Sequence, residues 1–566
     1  MKILGISAFH SNAAAALVVD GRCVAAAQEE RFSRLPRDAS FPMRAVRHVL
    51  AQAGLASEDL DLVVFYEKPL RRFERLLFNQ LRHFPAPAGV FSRTMFTWLG
   101  DRLWLKNRIG SEIGVPVDRV RFTSHHQAHA ASAFFPSPFD QAAVLVADGA
   151  GERSTTSLSR GDGTELELLT EIAFPHSLGL FYSAFTQFLG FEPDRDEHLV
   201  EALAAHGTPR FEKEVGELLR LADDGSFEVK SDAFRFAFDH EQMFGEELEE
   251  IFGKARIPGA PLDLTVDSCP EADLAASVQR RVEDALLGLA RELKRRVPAD
   301  DLCVAGTLGL NQTAMARLLR EGPFDNLFVQ PAADDAGGAL GAALFAWHVE
   351  ASGGERWRQN GALGVEPRGD VPEEASTFAS SSELTTAVSA ALRDEELVGW
   401  VRGRSGFGPG SFGQRVCLAI PGAKGDVRDA LARGLAPREP FLPLPVLVRT
   451  ERAAELLDLP EGAAGPLRYG QLAVPATARL RDAAPACVAP DGTVRPRVVS
   501  AGDEPELHAV LSEVESRGGP PLLVELELAQ RGEPPVRGEA EARDLFERTQ
   551  LALLVVDDRY YRRDGR

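Results

Sequence analysis

The sequence predicts an α/β fold in which a duplicated unit encloses a cleft, followed by a second, α+β domain. The chain has 566 residues, more than one hydrophobic core usually serves, so two or three domains are expected. Residues 3–27 and 142–170 also share one design, in which apolar runs of strand length alternate with tight turns. Two such units in one chain indicate an internal duplication.

The first unit begins with a strand from Ile3 and continues through the turn Phe9-His10-Ser11-Asn12. Further strands are predicted at 13–19 and 22–27, joined by the turn Asp20-Gly21, and a helix is predicted at 43–54. The N-terminus is short and quickly becomes polar, so we expect a buried strand there rather than a signal peptide.

The second unit repeats this pattern with strands at 143–147, 154–159 and 164–170 and a helix at 182–189. Its turns are Asp148-Gly149-Ala150-Gly151 and Gly161-Asp162-Gly163. The class that contains actin, Hsp70 and the sugar kinases is built from two such units, whose paired hairpins hold the phosphates of ATP. The first domain is therefore predicted to be a duplicated actin-like ATPase (ASKHA) domain with ATP in its cleft.

Two glycine-rich segments complete the predicted cleft. A strand at 302–305 runs into Gly306, and a strand at 327–331 is followed by the glycine-rich run 334–341. Glycines that open a helix let backbone N–H groups approach a nucleotide, although small residues also permit tight helix packing.

We place the first domain at residues 1–350, a linker at 351–385 and the second domain at 386–566. The linker mixes Gly, Glu, Ser and Pro without strong periodicity. The second domain starts at the apolar strand 397–401 and contains further short strands at 521–528 and 551–556.

Composition narrows the expected partners and compartment. The net charge of −21 opposes a polyanion, so we expect no nucleic acid and interpret Arg71, Arg72, Arg102, Lys106 and Arg108 as a solvated helix face. No uninterrupted apolar run reaches 18 residues, so no membrane span is expected. The five cysteines are scattered without a C-x-x-C pair, which favours a reducing, cytoplasmic compartment. The sequence does not decide whether the protein forms a homodimer.

The sharpest chemical signal is the run HHQAHA at 125–130. On a helix His125 and His129 share one face, a spacing that suits two imidazoles on one metal ion. With the carboxylates of Asp148 and Asp335 they predict a site for Fe²⁺, Mn²⁺, Zn²⁺ or Mg²⁺ beside phosphate oxygens. The alternative is a pair of helical histidines bonded to the backbone. His10 is a candidate base for a hydroxyl or amine, or a turn histidine that bonds locally.

The chain resembles the NodU/CmcH-type carbamoyltransferases, which include antibiotic-tailoring enzymes. The resemblance rests first on HHQAHAASAFFPSPFDQAAVLVADGAGERSTTS at 125–157. It also rests on stretches that follow the family order along nearly the whole chain: HSNAAAALVVDGR, EERFSR, PHSLGLFYSAFTQFLGF, VQPAADDAGGALGAALFAWH, VGWVRGRSGFGP, REPFLP and RGEP.

This resemblance implies two catalytic modules. A YrdC-like C-terminal domain would convert carbamoyl phosphate and ATP into carbamoyl adenylate. A Kae1-like N-terminal domain would pass the carbamoyl group to a hydroxyl or amine of a small-molecule or peptide natural product. The family pattern assigns the acceptor base to His10 and a metal, iron first, to His125, His129, Asp148 and Asp335. Nucleotide or phosphate contacts would come from Gly149, Gly151, Gly306, Asn311, Gly337, Gly338, Arg404, Arg415, Arg438 and Arg495.

The C-terminal domain departs from the family pattern. Gly410 stands where the motif E-F-G-P-R-A-L-G has arginine, and Glu525 and Glu527 replace polar residues of N-T-S-F-N. Lost positive charge and added negative charge weaken a phosphate pocket. Three functions therefore stay open: an active ATP-dependent carbamoyltransferase, a homologue that uses an adenylate made elsewhere or performs other ATP-dependent chemistry, and a scaffold for a partner.

Overall fold

The first domain contains two five-stranded sheets with the same topology. The computed structural model describes residues 1–82, 95, 98, 102–239, 241–265, 269–359, 362–367, 375–422, 427–429, 431, 435, 439–530 and 532–563. The first sheet has the order β3-β2-β1-β4-β5, with β1 Lys2–Ser7, β2 Ala14–Val19, β3 Arg22–Gln28, β4 Leu62–Phe65 and β5 Val120–Phe122. Strand β1 is antiparallel to β2 and parallel to β4.

The second sheet repeats this arrangement in the order β12-β11-β6-β7-β8. Its strands are β6 Gln141–Ala147, β7 Ser154–Asp162, β8 Glu165–Ala173, β11 Asp301–Ala305 and β12 Asn326–Val329. Strand β6 is antiparallel to β7 and parallel to β11, as β1 is to β2 and β4. Strands β9 Leu219–Leu221 and β10 Phe227–Val229 form a separate ribbon. The repeated topology confirms the predicted duplication and the actin-like fold of the first domain.

Helices cover both sheets. The first half has α1 Glu30–Ser33, α2 Met43–Gln52, α3 Pro69–Arg82, α4 Leu105–Ile113 and α5 His125–Phe134. The second half has α6 Leu178–Phe188, α7 Glu197–Ala204, α8 Glu212–Leu218, α9 Glu246–Phe252, α10 Pro270–Arg296, α11 Gln312–Glu321 and α12 Asp335–Phe345. Helices α5 and α12 occupy equivalent places, because each follows the last strand of its half. Helix α5 ends just before Pro136, whose ring cannot continue a helix.

Small residues let α5 and α12 touch at the level of the backbone. A Cβ atom on Gly341 would lie 1.7 Å from the carbonyl oxygen of Ala128 on α5. A Cβ on Gly337 would lie 2.0 Å from the carbonyl oxygen of Ala332, and one on Gly338 would lie 2.6 Å from the ring of Tyr66. Gly337 and Gly338 were predicted to contact a nucleotide. Both are buried, and the neighbouring backbone and ring leave no room for a side chain at either position, while their contact with a nucleotide stays a prediction.

The second domain is built on an eight-stranded mixed sheet in the order β13-β22-β21-β14-β15-β20-β16-β19. Its strands are β13 Ser376–Thr377, β14 Val398–Val401, β15 Arg415–Ala419, β16 Val446–Arg449, β19 Pro496–Val499, β20 Leu522–Glu527, β21 Leu553–Val556 and β22 Arg559–Arg562, with a small ribbon of β17 Val474–Pro475 and β18 Thr493–Val494. Its helices are α13 Ser381–Arg393, α14 Thr450–Leu456, α15 Ala464–Arg468, α16 Ala478–Ala483, α17 Pro505–Ser516 and α18 Glu539–Arg548.

The predicted linker contributes to this domain. Strand β13 pairs with β22, and Phe378 stacks on Tyr560 at a ring distance of 4.4 Å. Helix α13 also starts inside the predicted linker and packs Leu384 and Val388 into the core of the second domain. The domain is α+β as expected, and its likeness to YrdC stays a prediction.

Backbone carbonyls join the two domains. Arg31 Nη2 donates to the oxygen of Gly408 at 2.9 Å, and Gln471 Nε2 donates to the oxygen of Val329 at 3.1 Å. Gln312 Nε2 donates to the oxygen of Gly470 at 2.6 Å. These bonds hold the second domain over one end of the cleft. Within the described residues, no helix combines the length and hydropathy needed to cross a bilayer.

We predict that Gly341→Ala destabilises the first domain. The new methyl group would overlap the Ala128 carbonyl, and overpacking of this kind costs about 1–3 kcal/mol. Urea unfolding followed by intrinsic fluorescence measures the change. Gly354→Ala is the matched control, since a Cβ there meets no atom within 4 Å and should shift the midpoint little. Equal midpoints for both variants would contradict the packing described above.

Candidate active site

Four side chains meet where α5, α12 and the β6–β7 turn converge. His125 and His129 come from α5, Asp335 is the first residue of α12, and Asp148 directly follows β6. His125 Nε2 lies 3.0 Å from Asp148 Oδ2 and 3.1 Å from His129 Nε2. Asp335 Oδ1 lies 3.6 Å from His125 Nε2 and 3.7 Å from His129 Nε2. The structure thus brings together the four predicted ligand residues, and all are buried.

The donor set fits a divalent cation. Its four ligand atoms lie within 4.8 Å of one another, and both Nε2 atoms turn toward the two carboxylates. Among the described residues the Nδ1 atoms of His125 and His129 have no hydrogen-bond partner, so the backbone bonding proposed as the alternative does not hold these rings. Two imidazoles and two carboxylates suit Fe²⁺, Mn²⁺ or Zn²⁺ better than a purely oxygen-ligated ion.

The pKa values of the cluster residues also indicate a site that favours positive charge. Burial disfavours the charged form of His125, but its hydrogen bond to Asp148 and the charge of Asp335 outweigh this and raise its pKa to about 9. Burial likewise opposes ionisation of Asp148 and Asp335, yet the neighbouring histidines hold the pKa of each carboxyl below its usual value. Two buried carboxylates so close together require a positive charge between them.

His10 lies in the β1–β2 turn, which is equivalent to the β6–β7 turn that carries Asp148. Its Nδ1 lies 3.5 Å from Asp335 Oδ2, and its side chain is 39% exposed to the cleft. Desolvation in the cleft, together with nearby Arg72, lowers the pKa of His10, so the neutral imidazole is favoured at neutral pH. Ser11 Oγ donates to the same Asp335 oxygen at 3.3 Å. The turn therefore presents an unprotonated ring beside the cluster.

Several supporting residues were missed by the sequence analysis. Glu152 is buried and accepts the backbone N–H of His125 at 3.1 Å, which fixes the first turn of α5. The Tyr66 ring lies 5.1 Å from the His125 ring, and Asn12 donates to Asp334, the N-cap of α12. Tyr66 follows the end of a parallel strand, where functional side chains gather, and that position was an available signal.

A single cavity of about 1370 Å³ runs from the cluster to the second domain. Its first-domain wall includes His10, Asp148 and Asn311. Its second-domain wall includes Gly410 and, in addition, Phe412, Tyr469 and Glu527. Both domains therefore face one shared space.

Two of the predicted nucleotide contacts, Gly149 and Asn311, line this cavity. The Asn311 side chain caps α11 and also bonds to Gln279, which fixes its position at the wall. Both residues are therefore placed where a ligand in the cavity can reach them.

Two further predicted contacts, Gly151 and Gly306, shape the turns around the site. Gly151 lies against α5, where a Cβ would lie 3.1 Å from His125 Cβ. Gly306 has a φ of 89°, and a Cβ there would lie 2.3 Å from the oxygen of Ala147. Both positions need glycine because of neighbouring protein atoms.

The predicted phosphate-binding arginines are engaged elsewhere. Arg415 is 1% exposed and donates only to backbone carbonyls, those of Val365, Arg402, Gly403, Gln414 and Arg537. Arg404 likewise donates to the carbonyls of Val24, Leu363 and Gly364. Both side chains therefore hold chain segments together, because each of these hydrogen bonds ends on a backbone carbonyl. Arg438 lies outside the described residues.

Arg495 reaches across the domain boundary. Its Nη2 lies 3.2 Å from Glu201 Oε1, and Glu201 lines the cavity and also accepts from Thr313. Arg495 was predicted to contact a nucleotide or phosphate. The structure directs it toward the first-domain part of the cleft.

Glu525 does not add the uncompensated negative charge expected from the sequence. Arg497 Nε and Nη2 donate to its carboxylate at 2.9 and 2.8 Å, and Arg497 also pairs with Glu504. Glu527 lines the cavity, where Ser411 Oγ donates to it at 3.4 Å. The carboxylate at 525 is thus paired with Arg497, which it shares with Glu504, while that at 527 faces the shared space.

The basic residues of α3 and its neighbour were wrongly interpreted as a solvated helix face. Arg72 is largely buried, pairs with Glu67 and lines the cavity, and Arg102 lies 3.8 Å over the ring of Phe9. Helix α3 lines the cavity with Arg72 and Arg75, which turn inward. Arg71 remains exposed, as predicted.

Family models match both domains in order. A model described as carbamoyltransferase N-terminus matches residues 2–344, and one described as carbamoyltransferase C-terminus matches residues 389–563. The chain belongs to the carbamoyltransferase family.

Two relatives of this family member match nearly the whole chain, and a third matches part of it. Uncharacterized protein sll1178 of Synechocystis is 36% identical over 98% of this chain and 96% of its own length. Nodulation protein NolNO of Sinorhizobium fredii is 31% identical over 97% of this chain and 78% of its own. The 3′-hydroxymethylcephem-O-carbamoyltransferase of Streptomyces clavuligerus is 26% identical over 63% of this chain and 66% of its own.

Solved structures resemble the first domain more distantly. Component A of the (R)-2-hydroxyglutaryl-CoA dehydratase of Acidaminococcus fermentans shares 16% identity, with a TM-score of 0.33, over 61% of this chain and 97% of its own. That score adds nothing to the topology described above.

We predict that His129→Ala removes high-affinity divalent-metal binding. The substitution deletes one of the four donors, and the remaining three cannot close the same site. Metal content after loading with Fe²⁺, Mn²⁺ or Zn²⁺ and desalting measures the effect. His126→Ala is the control, because His126 belongs to the same helix but bonds to Ser157. Equal metal content in both variants would contradict the assignment.

Proposed function

We propose that this carbamoyltransferase uses ATP to activate carbamoyl phosphate and moves the carbamoyl group to a hydroxyl or amine of a small-molecule or peptide natural product. Carbamoyl phosphate, ATP and water would give carbamoyl adenylate, phosphate and pyrophosphate. The acceptor would then displace AMP from the adenylate. The observation that carries this proposal is the shared cavity, which joins the His10 and metal-ligand cluster to the second domain.

The first-domain residues suit the transfer step. His10, held in its neutral form beside the cavity, would take the proton of the acceptor as the acceptor attacks the carbamoyl carbon. His125, His129, Asp148 and Asp335 would hold a divalent cation, iron first, which supplies charge stabilisation for phosphate oxygens when bound. The Thr307 N–H donates to Asp148 Oδ1 at 3.0 Å and fixes that carboxylate at the cavity wall.

Enclosure supports the use of an adenylate. A carbamoyl adenylate is a mixed anhydride, and water would destroy it if it left the protein. A cavity lined by both domains lets the intermediate pass from one domain to the other without release. The carbonyl-directed bonds of Arg31, Gln312 and Gln471 hold the domains in that position.

The hydrogen bonds of the second-domain arginines favour a second candidate function. Arg404 and Arg415 donate to carbonyls, and Gly410 and Glu527 line the second-domain wall without adding positive charge. A second domain of this kind would activate carbamoyl phosphate poorly and leave the first domain to accept an adenylate made elsewhere. The intact cluster argues against a pure scaffold, which needs no buried metal-ligand set.

Pyrophosphate release distinguishes these candidates. The full-length protein is incubated with ATP and carbamoyl phosphate without acceptor, and pyrophosphate is followed by a coupled phosphatase assay. We expect pyrophosphate that depends on carbamoyl phosphate. ATP binding without pyrophosphate would support the adenylate-accepting alternative, and the absence of ATP binding would leave only the scaffold.

We predict that His10→Gln separates the two half-reactions. Pyrophosphate release should persist, because His10 lies in the first domain beside Asp335. Carbamoylation of any acceptor found by mass spectrometry in a panel of alcohols and amines should fall by about 10²-fold or more. His508→Gln is the control, since His508 pairs with Glu451 on the second domain. Unchanged transfer in His10→Gln would exclude His10 as the base.

A further inference from the structure

Arg75 on α3 is a buried guanidinium without a hydrogen-bond acceptor. It lines the cavity, and its Nε and Nη1 atoms are both shielded from solvent and unbonded to any described residue. Its guanidinium carbon lies 4.7 Å over the ring of Phe174, the one close aromatic contact among the described residues. A desolvated charge of this kind is costly unless something supplies an acceptor.

The acidic neighbours of Arg75 are already engaged. Glu67 pairs with Arg72, the residue one helical turn before Arg75. Glu152 accepts the backbone N–H groups of Lys68 at 2.7 Å and His125 at 3.1 Å. Burial, together with the nearby charge of Arg72, lowers the pKa of Arg75 to about 9, and the carboxylates of Glu67 and Glu152 offset this only in part. Among the described residues, Arg75 therefore has no carboxylate that accepts a hydrogen bond from it.

Part of the cavity wall is aromatic and apolar, and Phe174 lies directly against Arg75. Phe174 and Phe236 line the same space, with Leu180 and Met243 beside them. Rings of this kind bind the flat or apolar body of a ligand and exclude water, which strengthens a charged contact to Arg75. Asp194 and Asp239 also line the cavity, so a cationic acceptor is the competing case.

We propose that the acceptor carries an anionic group, a carboxylate in the first instance, that binds Arg75 while its ring or apolar body packs against Phe174. This inference rests on the proposed function, because it takes the cavity beside His10 as the acceptor site. It identifies the acceptor by charge: an anion with an apolar ring, rather than a polycation.

Three probes with one ring and one hydroxyl test the charge directly. Calorimetric titration of the full-length protein uses 4-(hydroxymethyl)benzoate, 4-(hydroxymethyl)benzamide and 4-(aminomethyl)benzyl alcohol, without ATP or carbamoyl phosphate. We expect the benzoate to bind about tenfold or more tightly than the benzamide, as a charge-assisted hydrogen bond predicts, and the amine to bind most weakly. A benzoate that binds no better than the other two overturns the proposal.

Variants assign the preference to Arg75. Arg75→Gln should abolish the difference between benzoate and benzamide, Arg75→Lys should keep part of it, and Arg71→Gln, an exposed change on the same helix, should leave it intact. An anion preference that survives in folded Arg75→Gln overturns the proposal. If that variant does not fold, the order of the three probes on the native protein decides.

The binding assay also separates this inference from the proposed function. A preference for the anionic probe without any carbamoyl transfer would contradict the proposed function and still support the anion site at Arg75. Carbamoyl transfer to amine-bearing acceptors, with no preference for the benzoate, would support the proposed function and contradict the anion site.

Discussion

The arrangement of this protein depends on the contact between α5 and α12, at whose N-terminal ends two imidazoles face two buried carboxylates. The helices approach closely because Gly341 leaves room for the carbonyl of Ala128. A larger residue there would move Asp335 away from His125 and His129, whose Nε2 atoms lie 3.6 and 3.7 Å from its carboxylate. The close packing of small residues therefore also maintains the cluster, because it keeps Asp335 beside the imidazoles. Neither buried carboxylate is stable without cationic partners.

Duplication of the fold supplies equivalent positions with different chemistry. The β1–β2 turn carries His10, which faces the cavity, and the equivalent β6–β7 turn carries Asp148, which is buried against His125. The N-termini of α5 and α12, also equivalent, supply an imidazole and a carboxylate. A symmetric scaffold thus yields an asymmetric site, in which one turn offers a proton acceptor and the other anchors the charge cluster.

The sequence was sufficient for elements whose signals are local. Turn residues such as Asp20-Gly21 delimited the hairpins, and the four-residue spacing of His125 and His129 predicted a shared helix face. It was insufficient where a residue type serves two physical purposes. Arginine binds phosphate or backbone carbonyls, and Arg415 does the latter only because five carbonyls surround it in the fold. Glycine approaches a nucleotide or another helix, and Gly338 meets Tyr66 through a tertiary contact that no local pattern encodes.

The manner of domain docking explains how the second domain can depart from the family pattern while the cleft stays closed. Three of the bonds that join the domains end on the carbonyl oxygens of Gly408, Gly470 and Val329, and any residue supplies such an oxygen. Side-chain identity at Gly410 or Glu525 is therefore free of the docking constraint. Chemistry in the second-domain wall can change without loosening the enclosure that a mixed anhydride requires. Under the proposed function, activation and transfer are separable in this architecture, since the charges that would serve each lie on different domains of one cavity.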